Sequence, residues 1–251
     1  MTTTRTTRPP MDADRKATLA AGLFYIGTFA FSIPALGLYG DVIDDPTWVL
    51  GIGGDGGVLW GALFEILTGL TGIGTAVAIY PILKRYGPGR AVGFVGSRVL
   101  EAAIITAGVL AILAVYTLRQ DLGGADPAAL TTTASALVAV RDWSFLFGPG
   151  VMAVVNALCF ATVLRQTGLV PRWIPTVGLM GAPMLLTSDL VTLFGGWDQV
   201  SAGAMLMVLP IATWELSVGI YMAAKGFRTA PAGDHEHIVE PSAAPVALAQ
   251  V

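Results

Sequence analysis

The chain has 251 residues, 54% of them hydrophobic and only 12% charged, about half the roughly 25% charged share of a soluble domain. Its formal net charge of −3 gives a nucleic-acid partner no support, and its single cysteine, Cys159, excludes an internal disulfide. With a mean hydropathy of +0.70, the composition is that of a membrane protein.

Residues 1–16 form a polar leader carrying Arg5, Arg8, Arg15 and Lys16. The apolar run 17–38 that follows is longer than the roughly 7–15 residues of a secretory h-region, so it reads as a retained first membrane helix. A helix crosses a bilayer core with about 20 apolar residues, and further runs of that kind lie at 58–83, 91–117, 144–164, 173–194 and 202–224. The expected fold is therefore all-α, a polytopic membrane protein with six transmembrane helices in one bundle. Residues 17–228 form the transmembrane domain, 1–16 a cytoplasmic leader and 229–251 a disordered, Pro/Ala-rich cytoplasmic tail.

The gaps set the orientation. The leader, Lys84, Arg85 and Arg90, then Arg165 and Arg172, then Lys225 and Arg228 occupy every second gap. The opposite gaps hold Arg119 and Arg141 among Asp41, Asp44, Asp45, Asp55, Asp121, Asp126, Asp142 and Asp198. Positive charge stays inside, so both termini are expected in the cytoplasm, in agreement with an even number of spans. Trp48, Trp60, Trp143 and Trp197 fall near the outer boundaries, and Tyr80, Tyr86, Trp173 and Tyr221 near the inner ones, as interfacial belts do.

Residues 39–57 are rich in Gly and Asp and read as an outer loop. In the later gap, Asp126-Pro127 is an N-cap followed by Pro at the first helical position. It predicts a helix running into the fourth span. From Pro127 to Leu164 that helix would be about 57 Å long, so its first part either projects or lies along the surface. Leu83-Lys84-Arg85-Tyr86-Gly87 is weakly echoed by Leu164-Arg165-Gln166-Thr167-Gly168, a pattern open to duplicated hairpins or to shared small-residue packing.

Inside the spans, Glu65, Arg98, Glu101 and Glu215 are the charged residues that invite a functional reading. Gly61, Glu65 and Gly69 share one helix face at i, i+4, i+8. Gly93, Ser97 and Glu101 do the same in the third span, and Glu215, Gly219 and Ala223 in the sixth. Small residues let helices approach closely in lipid, so the three carboxylates are expected to face a shared polar interior. Arg98 and Glu101, at i and i+3, can pair within one helix, and Asn156 lies at similar depth. Three acids with one base are unbalanced, and a central charge costs about 2.5–3.5 kcal/mol before compensation. The group is thus a candidate site for a small-molecule, proton or cation ligand, or else structural glue between helices.

Pro34, Pro81, Pro149, Pro175, Pro183 and Pro210 lie in or at the spans. The sharpest break is Phe147-Gly148-Pro149-Gly150, either a lining element of a transport site or a packing kink. Arg141 and Asp142, just before it, read as hydrated interface charges, a candidate outer entrance or a helix-end anchor. Asp189, near the outer end of the fifth span, reads the same way. His235 and His237 are the only histidines, both in the tail, so no intramembrane His can hold haem or zinc or activate Ser97. Asp234-His235-Glu236-His237 reads as a solvated tail rather than a metal site. With no Walker A or dinucleotide fingerprint, neither a metal, a cofactor nor a catalytic role is expected.

Several segments resemble the DUF4386 family of bacterial integral membrane proteins of unknown function. They are Gly61-Ala62-Leu63-Phe64-Glu65, Pro81 through Tyr86, Gly93 through Arg98 with Glu101, Arg141-Asp142-Trp143 through Gly150, Val170-Pro171-Arg172-Trp173, Gly178 through Pro183, and Pro210 through Glu215 with Lys225-Gly226-Phe227. The likeness covers about residues 16–228. It implies a multi-pass protein of a bacterial plasma membrane and imports no activity. Two functions remain in view: a small transporter or permease-like protein, and a non-catalytic accessory or sensor protein whose buried charges fix helix packing. An intramembrane enzyme comes third.

Overall fold

The computed structural model describes residues 11–51, 54–121 and 123–228. Leader residues 1–10 and the whole tail, with its Asp-His-Glu-His run, lie outside the described residues. The helices are α1 (Ala13–Leu38), α2 (Gly40–Asp44), α3 (Gly56–Leu83), α4 (Pro88–Gln120), α5 (Pro127–Phe145), α6 (Ala153–Thr167), α7 (Trp173–Leu193) and α8 (Ala202–Ala224). A 3-10 turn, Pro46–Leu50, follows α2, and a π-helical segment, Leu146–Met152, joins α5 to α6. Among the described residues six helices are long and apolar enough to cross a membrane, the α5–α6 unit counting as one from Pro127 to Thr167. This all-α, six-span architecture is the expected one.

The spans form a closed ring. α1 packs on α3, α3 on α4, α4 on α6, α6 on α7 and α7 on α8, and α8 returns to α1. Lipid supplies no hydrophobic drive between helices, so close backbone approach has to come from small residues. At Gly22 an added methyl would stand 2.7 Å from the Gly219 carbonyl oxygen and 2.9 Å from Ala223 Cα. Gly22→Ala is therefore expected to force α1 and α8 apart and to cost about 1–3 kcal/mol, read as a lowered melting temperature of the purified protein. The same seam is tied by Arg15, whose guanidinium donates to the carbonyls of Met222 (2.9 Å) and Ala223 (2.6 Å) at the C-terminal end of α8.

Packing is concentrated toward the two ends. At the end where α1 starts and α8 stops, the core includes Phe94, Phe160, Tyr25 and Trp214. Phe160 stacks on Phe94 at 4.9 Å and meets Trp214 edge-on at 5.7 Å. At the opposite end a second cluster joins Trp48, Val49, Val115, Leu130 and Ala134.

That second cluster corrects two expectations. Residues 39–57 are not a plain loop. Asp45 accepts from the Thr47 backbone N–H at 2.8 Å with Pro46 at the first position of the turn. This is the Asp-Pro signal that also starts α5, where Asp126 accepts from Ala129 N at 3.2 Å. The Thr47 hydroxyl and N–H hold the Asp45 carboxyl below its usual range. Nor does Trp48 belong to a lipid-facing belt. It is 1% exposed and lies under the Arg119 guanidinium at 4.2 Å, while Arg119 also pairs with Asp55 at 2.5 Å and donates to the Trp48 carbonyl. Trp60, Trp143 and Trp173 are exposed, as belt residues are.

The long fourth-span helix is present and runs along α4, its first turns covered by the 3-10 segment. Pro149 has no N–H to donate, and the backbone widens around it into the π-helical segment, a rare form that occurs mostly as a single-turn bulge inside an α-helix. The echoed segments after the second and fourth spans differ in backbone. Gly168 closes α6 in the left-handed region at φ 68, whereas Gly87 is extended at φ −177 ahead of α4.

Candidate functional site

Between the two packed ends lies a partly enclosed cavity of about 250 Å³, walled by residues from all six spans. Its charged lining is Glu65 from α3, Arg98 and Glu101 from α4, Asp189 from α7 and Glu215 from α8. The π-helical segment contributes Pro149 and Gly150 to the wall. Leu36, Ile105, Leu146, Leu185 and Ile211 make much of the remainder apolar.

Arg98 organises one half of the network. It is 4% exposed. Its Nη1 donates to Glu101 Oε2 at 3.0 Å, and its Nη2 to Glu215 Oε1 and to the Tyr25 hydroxyl, both at 2.8 Å. The guanidinium carbon lies 5.0 Å from the Tyr25 ring centroid and 5.7 Å from that of Phe94, within cation–π range. Asn156 Nδ2 donates to Glu101 Oε2 at 2.7 Å, and Asn156 Oδ1 accepts from Ser97 Oγ at 2.5 Å. Glu101 is thereby held between a guanidinium on its own helix and an amide from α6. The small-residue stripes do turn these carboxylates inward, and the i, i+3 pairing of Arg98 with Glu101 is present.

Glu65 has a different partner from the one the charge pattern suggests. Arg141 Nη2 donates to Glu65 Oε1 at 2.8 Å. Arg141 is not a hydrated interface charge: it is buried, with its guanidinium 4.7 Å from the Phe145 ring centroid and 5.6 Å from that of Tyr39. Aromatic faces and a carboxylate together replace water around it. Asp142 turns elsewhere, toward a separate cavity of about 170 Å³ between α2, the 3-10 turn, α4 and α5. Its backbone oxygen accepts from Gln199 Nε2 at 3.1 Å. The two neighbours expected to share an entrance thus face different surroundings.

The charge balance changes accordingly. Arg98 bridges two carboxylates and Arg141 holds a third. Three residues of the site had no distinguishing sequence signal or only a weak one. Tyr25 reads as one more aromatic in an apolar run, Ser97 as a small packing residue, and Asp189 as a helix-end charge. Asp189 is in fact 8% exposed and on the cavity wall, beside Ser188.

A family model described as Domain of unknown function (DUF4386) matches residues 20–226. The chain belongs to the DUF4386 family. Every site residue named above falls within the match, so the cavity and both ion networks are built from the DUF4386 domain itself. No curated protein and no solved structure matches the chain. It is an integral, multi-pass membrane protein, and the DUF4386 assignment carries no activity with it.

Proposed function

We propose that this protein binds a small molecule or cation in the central cavity and carries it across the bilayer, as a small transporter or permease-like protein. The observation that carries the reading is the coincidence of the cavity with the ion networks. Charges that only fix helix packing need a filled core around them. Here Glu65, Arg98, Glu101 and Glu215 line open space of about 250 Å³, and the π-helical segment around Pro149, a local form frequent at functional sites, makes part of the wall. Tyr25 and Phe94 face the Arg98 guanidinium on the cavity wall, and Phe160 stacks on both rings.

The second reading, an accessory or sensor protein, draws on the pairing itself. Arg98 and Arg141 answer three of the carboxylates, which is what structural glue does. Catalysis gains no support, since Ser97 donates to Asn156 and to the Phe94 carbonyl rather than to a base. We place the protein in a bacterial plasma membrane with both termini cytoplasmic. The support is the gathering of Lys84, Arg85, Arg90, Arg165, Arg172 and Lys225 at the end of the bundle where α8 stops. Residues 17–228 are taken as one transmembrane domain between a leader and a tail.

The test is water access. Thr68 and Ser188 line the cavity without joining either ion network, so each is replaced by Cys in a Cys159→Ala background. A membrane-impermeant thiol reagent is expected to label both, and saturation with a cavity ligand to slow the labelling. Folded protein that stays unlabelled from both sides of the membrane would sink the transport reading and leave structural glue.

A further inference from the structure

The four acids on the cavity wall are not equivalent. Glu65, Glu101 and Glu215 each accept a hydrogen bond from a guanidinium. Asp189 has no basic partner among the described residues, and its Oδ2 is buried without any hydrogen bond. The carboxyl is seated against the backbone of the π-helical segment: a methyl added to Gly150 would stand 2.8 Å from Oδ2 and 3.0 Å from Oδ1. Only a residue without a side chain leaves the carboxyl its place there. A buried polar group is ordinarily satisfied, and a buried carboxylate ordinarily paired. An unsatisfied one on a cavity wall is a group whose partner is still to arrive.

The chemistry of that partner follows from the surroundings. Four carboxylates face two guanidiniums, which disfavours an anion. The rest of the cavity lining mixes apolar Leu36, Ile105, Leu146, Leu185 and Ile211 with hydroxyl and amide groups from Ser188, Thr192 and Gln199. A cavity of about 150 Å³ suffices for benzene, so about 250 Å³ accommodates a benzene-sized body with a short polar arm. We infer that Asp189 is the ligand-binding carboxylate of the cavity and that the ligand class is a small apolar amine, bound as its ammonium cation. The apolar part of the wall takes the body. The inference rests on the cavity's being a ligand site and names what enters it.

The experiment is calorimetric titration of the full-length protein in lipid nanodiscs with benzylammonium chloride, and with benzyl alcohol as its neutral counterpart of similar shape. Benzylammonium is expected to bind at least tenfold tighter than the alcohol. Asp189→Asn, which keeps the shape, is expected to weaken amine binding at least tenfold and so remove that preference. Gly150→Ala gives an independent arm, since its methyl displaces the carboxyl and is expected to weaken amine binding several-fold. The amine–alcohol comparison on the unaltered protein needs no variant to fold. Equal affinity for the two probes, no amine binding, or an amine preference that survives Asp189→Asn would overturn the assignment. Thiol labelling at Thr68 and Ser188 separates the two failures: labelled cysteines without amine binding reject this ligand and keep the cavity, whereas unlabelled ones reject both.

Discussion

Arg98→Met is expected to destabilise the protein by about 3–5 kcal/mol, the usual consequence of removing one partner from a buried ion pair. Among the described residues Arg98 is the only guanidinium that reaches Glu101 and Glu215, and it comes from one helix while Glu215 comes from another. Its loss leaves two carboxylates facing a cavity with an amide and a phenol hydroxyl in place of a counter-charge. Methionine matches much of the arginine stem, so lost packing is a minor part of the effect. The triple variant Arg98→Met, Glu101→Gln, Glu215→Gln removes the charges together and is expected to recover most of the loss. Equilibrium unfolding in mixed micelles measures both. A loss below about 1 kcal/mol, the scale of a screened surface pair, would mean that water enters and solvates the network.

The second large effect is at Glu65 and Arg141. Each single change, Glu65→Gln or Arg141→Met, leaves a buried charge unpaired and is expected to cost about 3–5 kcal/mol. The double variant leaves neither, so the two losses are expected to fall short of additivity by about 2–3 kcal/mol, the upper range for contacting residues. The cycle also tests the topology, because Glu65 and Arg141 lie on the second and fourth spans and meet only if the α5–α6 unit crosses where the structure has it. Additive losses would separate the two residues.

The spans were legible because a bilayer imposes a length on apolar runs, and a stretch such as 202–224 has little else to be. The inward turn of Glu65, Glu101 and Glu215 was legible for a related reason: the i, i+4 stripes of small residues mark the helix face that meets another helix. The partnership of Arg141 was not. A charge at a span boundary is ordinarily hydrated, and nothing local to Arg141-Asp142-Trp143 announces Tyr39 and Phe145 as the faces that replace water. Its carboxylate is 76 residues away in the chain. Tyr25 was hidden in the opposite sense, since one hydroxyl does not distinguish it within an apolar run until Arg98 is seen to reach it. The turn at Pro46 was missed although Asp45-Pro46 repeats the signal read correctly at Asp126-Pro127. The surrounding glycines and aspartates made the segment look structureless, and the burial of Trp48 that orders it is tertiary.

The ring is closed by the first and last spans, and this bears on how the protein is made. As the helices leave the ribosome in order, Arg98 enters the membrane with Glu101 beside it and Tyr25 already in place. Glu215, its remaining partner, is translated 117 residues later. The Met222 and Ala223 carbonyls that Arg15 caps also belong to the final turn of α8. The nascent bundle is therefore an open arc with its cavity exposed along one side, and both electrostatic closure and the α1–α8 seam wait for the last helix. Biogenesis thus ends in a single locking event, and a chain that stops after the fifth span is left as an unsealed intermediate for quality control to find.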